Sequence, residues 1–568
     1  MTTQYRISAH NPHRQFVSFE ATFPNHGAEK MKLQLPAWRP GRYELGNFAR
    51  NIRGLVVHNA VGEPLPFRKI TKDCWEVESR GTAEVILTYQ YYAAELNAGS
   101  SWLDETQLYL NPVNCFFFNP LHPESSFDLQ FDLPADFEIA TGLSQPEKHQ
   151  LHARDVQQLM DCPLIAAPDL VHWTYRVDKV LFHIWFKGNI KLNQEKLIKE
   201  FSEFTSVQMA AFGSFPVSEY HFLFQAPDFP VRHGVEHENS TVIAIGPPEL
   251  LATKQWYDEL IGISSHELYH TWNVKALRPA DMMPYDFTRE NYSRLGYVAE
   301  GVTTYMGDKM LLKSGYFSEK EFLTLMSETL QKHMDNPGRF NLSVADSSID
   351  TWLDGYQPGI PWRKVSIYNE GCLTAFITDV LICLHSKGQH TLDTVMRELY
   401  DQFGLKKKGY TEQDYREAVT RAAGRDLPEV FDQLIHGTED YFPLLAKCCD
   451  LLGWQIKATP APRYTEAHWG MRLENNRITL ILPDSPADQA GLWVGDMLMS
   501  IDNRVLEGDC DAAARHMGSG QRILSIKRHG KLKIIKLKST TKVVWPQLKL
   551  EAKVKLSNGE NQRKKNWL

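Results

Sequence analysis

Cysteine is sparse: eight residues in 568, at positions 74, 115, 162, 372, 383, 448, 449 and 510, with no C-x-x-C pair. That scatter argues against a disulfide framework, and the expectation is reduced thiols in a cytoplasmic protein. The first residues, Thr2-Thr3-Gln4-Tyr5-Arg6-Ile7-Ser8, lack the charged and then apolar stretch of a signal peptide. Long hydrophobic runs are also missing. The best candidate, Leu373 to Leu384, is broken by Thr374, Thr378 and Asp379 and reads as too short and too polar to span a bilayer, so no membrane partner is expected. The net charge is -7 with acidic and basic residues intermixed, and no long basic run precedes the last few residues. A nucleic-acid partner is therefore not expected.

What is present is enough apolar mass, 43% of residues, for several cores. At about 100–200 residues per domain the length predicts three or four of them. Residues 1–170 read as β structure. Runs such as 15–23 and 83–91 alternate apolar and polar residues, and turn residues separate them at short intervals. A β-sandwich satisfies that pattern. The segment Leu35-Pro36-Ala37-Trp38-Arg39-Pro40-Gly41-Arg42-Tyr43 within it is rich in Arg and aromatic residues, which leaves a functional loop open, but a structural loop that packs its Trp and Tyr is the favoured reading. Residues 171–454 read as α+β. Strands are expected over 180–186, 221–224 and 241–245 and an amphipathic helix over 194–212. Helices follow near 249–275, 292–314, 318–335, 366–386, 389–403, 411–424 and 427–436. Residues 455–543 return to short strands, and 544–568 read as a tail, solvated and frayed from about Lys555.

One motif carries chemistry. His266-Glu267-Leu268-Tyr269-His270 is an H-E-x-x-H sequence in a helical context. Positions i and i+4 share a helix face, so both imidazoles reach one Zn²⁺ while Glu267 stands beside them as a general base. Three fixed positions recur by chance in roughly one chain in twenty of this histidine content, so a third ligand is needed. Glu300, in the otherwise apolar run Tyr297-Val298-Ala299-Glu300-Gly301-Val302, is the downstream candidate; Asp308 and Glu290 are competitors. A carboxylate in such a run is costly to bury unless it is paired or metal-bound. His233 and His237 are also four apart, but Gly234 and a strand-like run place them on a loop or edge strand, where such positions do not converge.

The chain resembles the glycyl aminopeptidase family of zinc metallopeptidases with a C-terminal PDZ domain. The motifs that carry the resemblance are Leu35–Tyr43, Gly234–His237, His266–Lys275 with Arg278-Pro279, and Glu300–Tyr305. It implies a multidomain α+β protein: an N-terminal β-sandwich, a thermolysin-like (gluzincin) catalytic domain with a helical subdomain, and a PDZ domain at 455–543. It makes Glu300 the third ligand of one Zn²⁺ per chain. The 29 residues between His270 and Glu300 exceed the usual gap of thermolysin-like enzymes, so an inserted loop near the site is expected over Val274 to Ser293. Similarity to zinc aminopeptidases at large implies that Gly234 and Glu236 bind substrate, with Glu236 on the free α-amino group. It also implies that Tyr368, in a Tyr-x-x-Gly sequence, donates to the oxyanion; Glu370 stands where related enzymes commonly have Lys. The expected activity is removal of small N-terminal residues, Gly or Ala, from peptides. The stretch Ser485–Asn503 resembles the centre of bacterial PDZ domains, with Trp469-Gly470-Met471-Arg472-Leu473 as an amide cradle for a peptide C-terminus. The same residues also fit a zinc endopeptidase, or a PDZ scaffold with a degenerate peptidase.

Overall fold

The computed structural model describes residues 2–356 and 359–568. In the N-terminal region the alternation over 15–23 becomes the strand Phe16–Pro24, which turns Val17, Phe19, Ala21 and Phe23 into the core. It lies between Thr2–Ser8 and Glu84–Tyr92 in a seven-stranded sheet. A three-stranded sheet of Lys30–Gln34, Cys74–Glu78 and Phe67–Lys69 contributes Met31, Leu33, Trp75 and Val77 to the same core. Two sheets closing over one apolar layer make the expected sandwich. A four-stranded sheet then leans on the next region, where Tyr109, Ala140 and Ile165 pack against Leu223, Val235 and Val242.

The second region is built on a five-stranded sheet. Its order is Val171–Val177, Val180–Lys187, Glu219–Gln225, Ser240–Gly246 and, at the edge, Val231–Glu236. The helix Gln194–Phe212 crosses over between two parallel strands, the connection that parallel pairing requires. The helical part follows, and two helices beyond those expected, Val344–Asp354 and Phe442–Leu451, complete it. The apolar stretch near 373–384 belongs to a longer helix, Ile367–His385, which by length and composition could cross a membrane. The sequence reading of that stretch as too short and too polar is thus corrected; the helix is buried through most of its length as a core element. Residues 274–293, expected as a loop near the site, are turns and irregular chain with one short 3-10 turn, and they also tie the two regions together. Val274, Met282, Tyr285 and Phe287 enter the sandwich core, and Trp38 Nε1 donates to Asp286 O at 2.7 Å.

The C-terminal residues also depart from expectation. A small unit with its own core, from Trp469 to Leu537, hangs on a ribbon formed by Trp454–Pro460 and Pro546–Ala552. Residues 544–568 are not a frayed tail. After the ribbon strand, a helix Asn558–Trp567 starts in a Ser557/Glu560 capping box and drives Trp567 into the helical core, fully buried. There Trp567 meets Trp454 edge to face at 5.3 Å and donates to Tyr305 Oη at 3.1 Å. One large aromatic ring, with Arg563 Nε donating to Leu451 O at 2.9 Å and Lys564 paired with Glu319, holds an otherwise polar helix, which is why composition alone describes a tail.

Candidate metal and peptidase site

The motif lies on the helix Lys254–Tyr269, capped by Thr253, and the chain turns away at His270. That turn is held by Asn273. Its carbonyl accepts from His270 Nδ1 at 2.7 Å, and its side-chain amide donates to Val298 O at 2.9 Å and to Thr303 Oγ1 at 3.1 Å. One residue thus fixes the His270 tautomer, leaving Nε2 as the free ring nitrogen, and locks the motif helix to the segment bearing Glu300. That segment, Tyr297–Val302, is a π-helical turn that runs into the helix Thr303–Lys313. π-turns recur at functional sites because they re-aim a side chain within a helix. Gly307 lets this helix approach closely: a Cβ there would stand 3.1 Å from His266 Cα.

The result is convergence. His266 Nε2 and His270 Nε2 are 3.0 Å apart, and Glu300 Oε2 is 3.4 Å from His270 Nε2 and 4.0 Å from His266 Nε2. Ligands about 2.0–2.1 Å from a tetrahedral Zn²⁺ stand roughly 3.3 Å from one another, so two imidazoles and a carboxylate at these separations fit such an ion. Electrostatics agrees with the donor set. Glu236, Glu267 and Glu300 are buried together, and Glu267 Oε2 and Glu236 Oε1 lack hydrogen-bond partners among the described residues. Burial pushes the Glu267 carboxyl up to about 8. Burial opposes charge on His270, yet Glu300 and the other two carboxylates hold its imidazolium up to about 10. Such a cluster has an excess of negative charge that a bound cation neutralises.

The other expected residues surround this centre. Gly234 and Glu236 belong to the edge strand Val231–Glu236, which pairs with Ser240–Gly246 on one side. Gly234 is required by close approach, because a Cβ there would stand 2.1 Å from Glu267 Oε1. Tyr368 lines the same cavity of about 690 Å³. Its Tyr-x-x-Gly spacing has a packing cause: Gly371 meets Gly301 backbone to backbone, a Cβ on Gly301 coming within 2.3 Å of Gly371 Cα, which brings the phenol beside Glu300. Burial, with Glu300 nearby, raises the Tyr368 phenol well above its ordinary value, so it stays a donor. Glu370 points elsewhere, to His333 Nδ1 at 3.0 Å. Asp308 lines the cavity farther along the Glu300 helix and Glu290 does not line it. His233 and His237 face different partners, Arg39 and Asp161. Another histidine group, His183 with His221 and Glu219, has its two rings stacked at 4.4 Å and 6°, so their lone pairs run parallel and do not converge.

For Leu35–Tyr43 the favoured reading as a purely structural loop gives way to the functional alternative. Trp38 is buried as expected, but Arg39, Gly41 and Arg42 line the cavity and Tyr43 Oη donates to Glu300 Oε1 at 3.3 Å. Tyr356 joins them, hydrogen-bonded with Tyr368. The available signal was the density of Arg and aromatic residues in one short loop.

Residues 4–168 match the Peptidase M61 N-terminal domain, and residues 259–374 match the M61 glycyl aminopeptidase family. Among solved structures, an aminopeptidase N family protein from Idiomarina loihiensis superposes with a TM-score of 0.90 at 23% identity, over 100% of both chains. A variant M1 zinc metallopeptidase from Deinococcus radiodurans, bound to a Tyr-Ser-Ala substrate, superposes with a TM-score of 0.50 at 13% identity, over 78% of this chain and 94% of that one. At these identities the structural likeness speaks for the fold. Comparison with curated proteins found no match. Together with the family matches, the aminopeptidase-like fold defines a metallopeptidase. Within that class the chain belongs to the M61 glycyl aminopeptidase family.

Proposed function

We propose that the protein is a zinc-dependent aminopeptidase that removes single residues, small ones such as Gly or Ala, from peptide N-termini. The observation that carries this reading is the meeting of His266, His270 and Glu300 with a buried Glu236 whose Oε1 has no partner among the described residues. Zn²⁺ held by the first three, one per chain, would supply Lewis acidity toward water and the scissile carbonyl. Glu267 takes the proton of the attacking water and returns it to the leaving amine. Tyr368 donates to the oxyanion as charge develops there. The unpaired side of Val231–Glu236 offers backbone groups to an extended peptide, and Glu236 takes its ammonium. A fixed carboxylate one residue beyond the metal admits a free N-terminus and disfavours an endopeptidase.

The C-terminal unit we read as a PDZ-type module for a peptide C-terminus. The order of the helix Pro486–Gln489, the Gly491 turn and the strand Met497–Ile501 supports this, as does the free edge of Met471–Glu474. Of the expected amide cradle, the Gly470 amide already donates to Glu466 O at 3.2 Å, so a ligand would have to displace that bond. Eight buried, unpaired cysteines fit a reducing, cytoplasmic setting.

The test is a panel of amino-acid anilides and N-blocked peptides, with and without chelator. The expected result is hydrolysis restricted to free amines and abolished by chelation. Equal cleavage of blocked peptides, or a Glu236→Ala variant with unchanged activity on free amines, would remove the aminopeptidase reading.

A further inference from the structure

Glu236 ends its strand against the N-terminal domain, at contact distance. Gly41 adopts a left-handed conformation, φ +75°, and a Cβ there would stand 2.5 Å from Glu236 Oε2. Behind it Arg39, 5% exposed, donates to Pro40 O at 3.2 Å and lies 3.4 Å from His233 Nε2. The Arg39 guanidinium is itself clamped, since a Cβ on Gly99 would fall 2.3 Å from its Cζ. Tyr43, two residues past Gly41, reaches Glu300. One loop thus touches the amine anchor, the edge strand and a metal-ligand candidate. The catalytic domain supplies the chemistry, while the wall past Glu236 is built by a different domain.

We infer that the loop Leu35–Tyr43 is the end-stop of the substrate groove and that Gly41 and Arg39 determine its length. This rests on the aminopeptidase reading above and deepens it. An extended peptide lying along Val231–Glu236 advances at about 3.4 Å per residue, so a residue placed before the anchored amine would need space that Gly41 and Arg39 occupy. The substrates this admits are peptides with an unblocked first residue. Glycine is the residue that position 41 tolerates, because any Cβ displaces the Glu236 carboxylate and the left-handed backbone disfavours other residues.

The experiment compares kcat and KM for a free-amine peptide and its N-acetyl counterpart in the wild type, Gly41→Ala, Gly41→Ala with Glu236→Asp, and Arg39→Ala. Thermal transition and zinc content of each are followed alongside. Gly41→Ala should raise KM for the free amine by about tenfold with little change in kcat, the signature of lost uniform binding. The shorter carboxylate of Glu236→Asp makes room and should recover part of that loss in the double variant. Arg39→Ala removes bulk, and should lower the preference for free over acetylated peptide by about tenfold. If Gly41→Ala does not fold, the Arg39 arm decides. A wild type that cuts acetylated peptide as well as free would overturn the aminopeptidase reading itself. A selective wild type whose selectivity and KM are untouched by these variants would overturn the end-stop alone.

Discussion

Glu267 and Asn273 stand on opposite sides of the candidate metal ligands, one facing the cavity and the other holding His270 from behind, and substitution separates them. Glu267 faces the cavity with one oxygen unpartnered, so Glu267→Ala should keep the metal and lose hydrolysis by about 10²–10⁴-fold. Metal analysis and a peptide assay on one preparation check both halves. Asn273 holds His270 Nδ1 and the Glu300 segment but does not line the cavity, so Asn273→Ala should weaken metal affinity by about 10–100-fold. Competition with a chromogenic chelator measures that. The two residues differ in legibility. Glu267 follows from helical periodicity over five residues, whereas the role of Asn273 depends on Val298 and Thr303, 25 and 30 positions away. Arg39, Gly41 and Tyr43 were harder still: Tyr43 and Glu300 are 257 residues apart, and no local pattern encodes such a contact.

At the scale of elements, strands with one buried face were readable because period two survives in the sequence. The strands Phe16–Pro24 and Val180–Lys187 are examples, each turning alternate side chains into a core. The end of the chain was not readable this way. Asn558–Trp567 has no apolar stripe and docks through one buried Trp with polar contacts from Arg563 and Lys564 to Leu451 O and Glu319, so hydropathy averaged over its length describes a solvated tail. Trp567→Ala should therefore destabilise the protein by about 3–5 kcal/mol, the usual cost of truncating a buried large aromatic. Urea unfolding with an unchanged slope tests this, and a loss under 1 kcal/mol, roughly the value for a surface site, would return the helix to the status of a tail.

Over the whole molecule the two main regions are joined through charge as well as apolar packing. Asp161, from the N-terminal region, lies 2.8 Å from Lys275 Nζ and 3.1 Å from His237 Nδ1, all of them buried. Burial opposes its charge, but Lys275 and His237 outweigh that and hold the carboxyl well below the usual carboxylate range. Its folded-state pKa is thus depressed. The stability it contributes is fully present above the unfolded value, about pH 4, and is lost as pH falls below it toward the folded pKa. Asp161→Asn leaves Lys275 buried without its counter-charge. The variant should be less stable by about 3–5 kcal/mol near neutral pH, with the deficit shrinking below about pH 4. Denaturant unfolding of both proteins at several pH values reads out that convergence.

The account depends on His266, His270 and Glu300 holding a single ion, and metal stoichiometry of the purified protein tests this most directly. The wild type, dialysed and reloaded, should carry one zinc per chain, and Glu300→Ala and His270→Ala, folded by circular dichroism, should carry almost none. A wild type that binds no divalent ion, or ligand variants that retain a full equivalent, would contradict it.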